Sequence, residues 1–232
     1  MWWRKKEQYF SYRHDVHAHL LPGLDDGVRT VEEAVGIIEE MKSFGIESFS
    51  LTPHVAYPAM PNTEKHIQET LKELQSLLPE VRIEAGAEYR VGQEVLARAE
   101  RVEVLPFFQQ YVLIENNFQG ESVYLDQMIF VLQTQGFTPV LAHPERYPYY
   151  YDQVPGKLQS LRKQGCLLQL NLLSLAGFYG RETEKMAWQM LKTGLISFVG
   201  SDVHRLSYAQ ELKEFLFSKS SGKLKEYKFL NQ

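Results

Sequence analysis

Short apolar runs alternate with amphipathic stretches along this chain of 232 residues. The runs at 12–17, 47–52, 82–88, 111–115, 138–143, 166–170 and 196–201 have the length and side-chain makeup of buried strands. The stretches between them place apolar residues at helical spacing. In the first, Thr30 and Glu33 form a capping box, Val31, Ala34, Val35, Ile38 and Met41 share a face, and Gly45 provides the stop. Asn62 or Thr63 opens a second helix, with Ile67, Leu71, Leu74 and Leu78 on its apolar face and Pro79 after it. Further helices are predicted over 93–100, 122–135, 153–164, 182–193 and 209–217; Gly136, Gly165 and Gly194 end three of them.

Strand and helix therefore alternate seven times. Parallel strands need helical crossovers, and repeated units of this kind can close into a barrel. The pattern predicts an α/β fold, a single domain over residues 1–232 with residues 1–11 as an N-terminal extension. An open doubly wound sheet is the alternative, but its ligands gather at one switch point rather than at every strand end.

Composition narrows the class. At 44% hydrophobic and 23% charged residues, the chain can fill a globular core. A formal net charge of -4 leaves no basic footprint, which argues against nucleic acid as a partner. The single cysteine, Cys166, excludes an intrachain disulfide and thiolate zinc sites, and fits a reducing cytoplasm. No apolar stretch approaches the roughly 18 residues of a spanning helix. The opening Met1-Trp2-Trp3-Arg4-Lys5-Lys6 lacks the apolar core of a secretory signal. Its paired tryptophans beside three bases could touch the inner face of a membrane through residues 2–6; a frayed or self-packed terminus is the favoured reading.

The candidate chemistry sits where the strands end. His17 and His19 are two apart at the end of the first strand, so both imidazoles can face one ion. His54, His143 and His204 add three imidazoles, and Asp26, Glu88, Glu115 and Asp202 add carboxylates. Five histidines and four carboxylates exceed what one ion takes, so two or three metals are expected. Mixed imidazole and carboxylate ligation suits Mn, Fe, Zn or Co. A lone His-x-His in a strand is more often structural, but charged groups ending buried strands are costly unless paired or metal-bound. In barrels of parallel strands the active site lies at that end. His14 and His66 fall outside the pattern. Arg146 shares a loop with His143 and can hold phosphate oxygens, or else pair with Glu145. Asn171 either contacts substrate or turns the chain, and the run of aromatics from Tyr147 to Tyr151 either walls a pocket or packs between helices.

Asp15-Val16-His17-Ala18-His19 followed by Leu21-Pro22-Gly23-Leu24-Asp25-Asp26-Gly27 resembles the opening motif of the polymerase-and-histidinol-phosphatase superfamily. The Asp-Asp-Gly element is similar to one branch, the manganese-dependent bacterial protein-tyrosine phosphatases of capsule and exopolysaccharide loci. Thr52-Pro53-His54, Gly86-Ala87-Glu88, Ile114-Glu115, Ala142-His143-Pro144-Glu145-Arg146 and Ser201-Asp202-Val203-His204 match in the same order, over about residues 12–204.

The resemblance implies a distorted (β/α)7 TIM-like barrel holding three divalent ions, with Mn expected and Fe, Zn or Co as alternatives. Carried over by motif, His17, His19, Glu88 and Asp202 hold one ion, and Glu88, Glu115 and His143 a second bridged by Glu88. Asp26, His54 and His204 hold the third, Asp25 shapes the loop, and Arg146 binds phosphate. The chain departs from the branch in one place. Relatives carry Asn directly after the final histidine and Arg several residues on, whereas here Arg205 follows His204 and no Arg comes later, so Arg205 is a substitute candidate.

The implied activity is hydrolysis of phosphotyrosine, on a bacterial tyrosine kinase governing polysaccharide export, by a metal-bound hydroxide. No Arg lies six positions after Cys166, so the cysteine loop of thiol-based tyrosine phosphatases is missing. A histidinol-phosphatase-like phosphomonoesterase is the alternative, which the Asp-Asp-Gly opening disfavours. A metal-dependent amidohydrolase ranks third, since Glu88 stands where such enzymes use a modified lysine, and a non-catalytic binding module of capsule assembly ranks last.

Overall fold

A computed structural model describes residues 8–232. The membrane contact considered for residues 2–6 lies outside the described residues. Nine strands run through the barrel wall: β1 (His14–Ala18), β2 (Ser48–Leu51), β3 (His54–Val55), β4 (Arg82–Ala85), β5 (Glu88–Arg90), β6 (Tyr111–Glu115), β7 (Thr138–Ala142), β8 (Leu167–Asn171) and β9 (Phe198–Gly200). Among the described residues eight α-helices lie between or after them: α1 (Val31–Ser43), α2 (Glu64–Leu77), α3 (Gln93–Glu100), α4 (Leu125–Thr134), α5 (Gly156–Lys163), α6 (Leu172–Leu175), α7 (Arg181–Lys192) and α8 (Leu206–Leu216).

All ladder pairings are parallel, in the orders β1-β2-β4 and β3-β5-β6-β7-β8-β9. The two sheets are one wall interrupted at one level. Thr52-Pro53 separates β2 from β3, where proline cannot donate to a ladder. Gly86-Ala87 separates β4 from β5 in register with it, since His54 pairs with Glu88 just as Leu51 pairs with Ala85. Counting each broken pair as one strand gives seven. The wall closes through Ala18 and Val203, where the His19 amide donates to the Val203 carbonyl at 2.9 Å and the Asp202 amide to the His17 carbonyl at 2.7 Å. The fold is thus a distorted seven-stranded barrel in a single domain.

The continuous strand expected over 82–88 is in fact two, because the wall bends at Gly86. A Cβ there would meet the Phe107 Cβ at 2.5 Å and its amide nitrogen at 2.8 Å. The barrel interior is closed below the mouth by Val16, Phe107, Leu113, Val140, Ala142 and Phe198. The main core packs the helices on the outside of the wall, from Phe10 to Phe229. Residues 8–11 join it: the Tyr9 amide donates to the Leu216 carbonyl at 3.0 Å, and Phe10 is buried edge-on to Phe229.

Thr30 does form the capping box with Glu33 at the start of α1, and Thr63 caps α2. α6 is a single, fully buried turn that the spacing did not reveal, three leucines around Ser174.

The two glycines Gly36 and Gly86 make a test of this packing. Gly86→Ala should cost about 1–3 kcal/mol or more through the clash with Phe107 backbone. Gly36 sits on α1 with open space around its missing Cβ, so Gly36→Ala should stabilise by about 0.5–1 kcal/mol. Urea unfolding of both variants measures the difference.

Candidate metal centre

Every candidate ligand lies at the end of the wall to which the strands point. His17 is in β1 and His19 just beyond it; His54 is in β3, Glu88 opens β5, Glu115 closes β6, and His143 follows β7. Asp202 and His204 follow β9, while Asp26 comes over the mouth in the loop before α1. Gly27 lets that loop lie against β1, since a Cβ there would stand 2.8 Å from the His19 Cβ.

The centre of the site is a crowd of lone pairs. His17 Nε2 and His19 Nε2 face each other at 3.1 Å. Each ring spends its other nitrogen on a neighbour: His17 Nδ1 meets Gln169 Oε1 at 2.9 Å, and His19 Nδ1 meets Asp25 Oδ2 at 2.7 Å. Those acceptors fix the ring proton on Nδ1 in the neutral imidazoles and leave both Nε2 atoms as donors to a cation. Glu88 Oε2 stands 3.4 Å from each Nε2, and Asp202 Oδ1 at 3.4 and 3.3 Å. Four electron-rich atoms so close need a cation, or shared protons, between them.

Two further groups adjoin this one. His143 Nε2 lies 2.9 Å from Glu88 Oε1 and 3.9 Å from Glu115 Oε1. Asp26 Oδ1 lies 3.6 Å from His54 Nε2 and 3.5 Å from His204 Nε2. His204 Nδ1 is held by the Asp202 carbonyl at 2.9 Å, which again aims Nε2 into the site. His54 also reaches the other groups, its Nδ1 standing 3.0 Å from Glu88 Oε2. That approach is not aligned for a hydrogen bond, so both atoms stay unpartnered though buried. All nine candidate ligands fall into overlapping sets whose donor atoms lie within 4.8 Å of one another. Unpartnered buried donors, fixed tautomers and mixed nitrogen and oxygen ligation fit a divalent transition-metal cluster.

The electrostatics show what such ions relieve. Burial opposes a proton on His17, but Glu88 and Asp202 outweigh it and raise its pKa to about 9. Burial likewise opposes charge on His19, and Asp25 leads the groups that raise it. Burial disfavours ionised Glu88 and Asp202, yet the imidazoles, His17 foremost, keep both below the ordinary carboxylate range. Without metal, protons on the histidines stand in for the ions.

Several partners of the ligands carried little signal in the sequence. Asp15, wholly buried, accepts from Tyr12 Oη at 2.7 Å, the His17 amide at 3.2 Å and the Ser201 amide at 3.1 Å, and from Ser201 Oγ, which ties β1 to β9 behind the ligands. Gln169 and Asn171 stand behind the ligands, Asn171 Nδ2 donating to Asp202 Oδ2 at 2.7 Å. Asp25 accepts from the His54 and Gly27 amides, both at 2.9 Å. Arg90 was not anticipated; its Nε donates to Glu115 Oε2 at 2.9 Å. Its place two residues after Glu88, on the same side of a strand, is the signal that could have found it.

Arg146 does not pair with Glu145. Its Nη1 donates to Asp202 Oδ2 at 2.7 Å, and its guanidinium lies between Phe118 and Tyr179, 4.9 and 4.2 Å from the ring centroids. Glu145 turns the other way, its Oε1 accepting from the Asn171 amide at 2.9 Å and from Ser174 Oγ at 2.7 Å. Arg205 is exposed at the rim, its guanidinium 5.4 Å from the Tyr208 ring. Tyr147 and Tyr150 are packing residues, with Tyr147 Oη accepting from the Asn116 amide at 3.0 Å. His14 turns from the site to Ser50 and Phe108, and His66 is exposed on α2. Cys166 is buried, and burial pushes its thiol up to about 12. The mouth encloses about 140 Å³, bounded by Asp26, His54, Glu115, His143, Asp202 and His204 together with Arg90, Phe118, Arg146, Tyr179, Arg205 and Tyr208.

The raised histidines set a pH dependence for the metal-free protein. A pKa above the unfolded value of about 6.5 contributes stability that is complete below that pH and lost as pH climbs. The thermal midpoint of chelator-treated protein should therefore fall between about pH 6.5 and the His17 value of about 9. Metal binds deprotonated imidazole, so manganese-loaded protein should lose much less over that window in the same calorimetric series.

Comparison with known proteins matches this geometry to a family. The model of the family described as "Capsular polysaccharide synthesis, CpsB/CapC" matches residues 13–214. The putative tyrosine-protein phosphatase CapC of Staphylococcus aureus is 27% identical over 219 residues, covering 92% of this chain and 84% of that protein. The tyrosine-protein phosphatase YwqE of Bacillus subtilis is 29% identical over 197 residues, covering 83% and 77%. A chain from the crystal structures of YwqE from Bacillus subtilis and CpsB from Streptococcus pneumoniae, described as unique metal-dependent tyrosine phosphatases, superposes with a TM-score of 0.79 at 26% identity, covering 94% of this chain and 97% of that one. A histidinol phosphate phosphatase from Lactococcus lactis has a TM-score of 0.56 at 14% identity, covering 89% and 92%, and shares the fold alone. With the family model spanning most of its length, the chain belongs to the CpsB/CapC family.

Proposed function

We propose that the barrel mouth hydrolyses phosphotyrosine with divalent metal held by the nine clustered ligands. The observation that carries the reading is the convergence of these donors beside Arg146 in a cavity of about 140 Å³, room for a phosphoryl group. Kinship to tyrosine-protein phosphatases supports the substrate class. In this reading His17, His19, Glu88 and Asp202 hold one ion, Glu88, Glu115 and His143 a second, and Asp26, His54 and His204 a third. Manganese is the ion we assign. Such ions, when bound, draw charge from the phosphoryl oxygens and acidify water at neutral pH.

The chain's own groups do the positioning. Arg146 is pinned by Asp202 on one side and by two aromatic rings, so its remaining N–H groups are fixed toward the cavity at little entropic cost. There it would hold phosphoryl oxygens and stabilise their charge in the transition state. Phe118, 38% exposed, stands at the rim against Arg146 and His143, where a phosphorylated phenyl ring would rest. Gln169, Asn171 and Asp25 keep the ligand side chains from turning away. Cys166 contributes no nucleophile, buried with a raised thiol. Arg205, exposed at the rim, is assigned a supporting contact to substrate. The substrate we assign is a phosphotyrosine protein, a bacterial tyrosine kinase of the polysaccharide export system. Among the described residues no helix is long and apolar enough to cross a membrane.

Two outcomes test the reading. With manganese, the protein should release phosphate from a phosphotyrosine peptide and much less from histidinol phosphate; chelator should abolish the activity and manganese restore it. Arg146→Lys keeps the charge but loses the planar fork, and should lower kcat/KM by about 10- to 100-fold with the metal content unchanged. Preference for histidinol phosphate, or activity indifferent to chelator, would contradict the assignment.

A further inference from the structure

The metal cavity adjoins a second, larger depression between the start of α1 and the start of α8. It holds about 880 Å³ and shares Asp26, His204 and Arg205 with the metal site. Ligand sites of this size, roughly 300–1,000 Å³, enclose several residues' worth of a bound chain. The 140 Å³ mouth holds a phosphoryl group but not the polypeptide that carries it, so a protein substrate must continue along the surface.

The charges of the depression are unevenly spent. Glu33 Oε2 is occupied by the Arg29 and Thr30 amides at 2.8 and 3.4 Å, and Asp26 by His54 and His204. Arg29, Arg205 and Glu32 have no ion-pair partner among the described residues. The first turn of α8 carries no acidic residue and its N-cap makes no side-chain hydrogen bond, so the positive end of that helix adds to the two arginines. Gly36 forms part of the floor, and its missing Cβ leaves open space.

We propose that this depression is a docking groove for the substrate segment beside the phosphotyrosine, and that it selects segments with Asp or Glu next to that residue. The inference rests on the phosphatase reading above for the position of the phosphotyrosine, but the groove binds through groups that hold no metal. Arg29 and Arg205 meet the acidic side chains, while Ile37 and Leu206 line the apolar part.

The test compares Arg29→Glu and Gly36→Trp with the native protein. Neither residue is a candidate metal ligand or lines the phosphoryl cavity, and a Cβ at Gly36 meets no atom within 4 Å, so a Trp there is placed to occupy the groove. Fluorescence anisotropy with a labelled phosphotyrosine peptide flanked by glutamates reads binding without turnover. Both variants should weaken binding by about tenfold, since a lost contact of 1.4 kcal/mol is a factor of ten. They should also lower kcat/KM for that peptide while leaving phenyl phosphate hydrolysis unchanged. Arg29→Glu should bind a lysine-flanked peptide better than the native protein does. Unchanged peptide binding in both variants, or equal loss toward phenyl phosphate, overturns the groove. So does a change of oligomeric mass with Gly36→Trp and no effect on peptide, which would give the surface to a second copy of this chain. Native protein that binds the acidic peptide but hydrolyses neither substrate overturns the phosphatase reading and leaves the groove standing.

Discussion

The structure turns on the repulsion built into the barrel mouth. Two imidazole nitrogens aimed at each other at 3.1 Å, with two buried carboxylates within 3.4 Å of both, cannot persist as neutral rings beside free anions. Protons relieve the crowding at low pH, and bound metal ions would relieve it in their place. Either way a positive charge must sit where the strands end, and a phosphate ester is the kind of ligand such a charge attracts.

The fold holds the repelling groups together. Apart from Asp26, which a loop brings over the mouth, each candidate ligand stands in or just past a strand whose register its neighbours fix, so it cannot retreat without unpairing the wall. His143 and Asp202 take left-handed backbone conformations, with φ of 35° and 58°, uncommon for residues with side chains. Both turn the chain abruptly at the strand end, and the hydrogen bonds around them bear the cost. Behind the ligands, Asp15 binds β1 to β9 where the barrel closes, and Gln169, Asn171 and Asp25 orient rings and carboxylates. Two guanidiniums are drawn into this shell, Arg146 through Asp202 and Arg90 through Glu115.

The sequence made the alternation of strands and helices legible because each element repeats one period, and the apolar runs named all seven parts of the wall. The candidate ligands were legible because His, Asp and Glu at strand ends are costly without a partner. What stayed hidden depends on distances across the barrel. The break at Thr52-Pro53 is marked locally by its proline, whereas the one at Gly86-Ala87 lies where Phe107 packs against Gly86, a contact no local pattern encodes. Arg146 was equally suited on spacing to Glu145, and only the turn at His143 decides for Asp202. Phe118 and Tyr179 reach the site from separate loops, so nothing in their local sequence ties them to it.

The central claim is that the crowd of donors exists to hold several ions. Elemental analysis of manganese-equilibrated, gel-filtered protein tests it most directly. The native protein should retain three manganese ions per chain, with at least two lost in Glu88→Ala, whose carboxylate is shared by the first two ion sites. A native protein that retains one ion or none would contradict it.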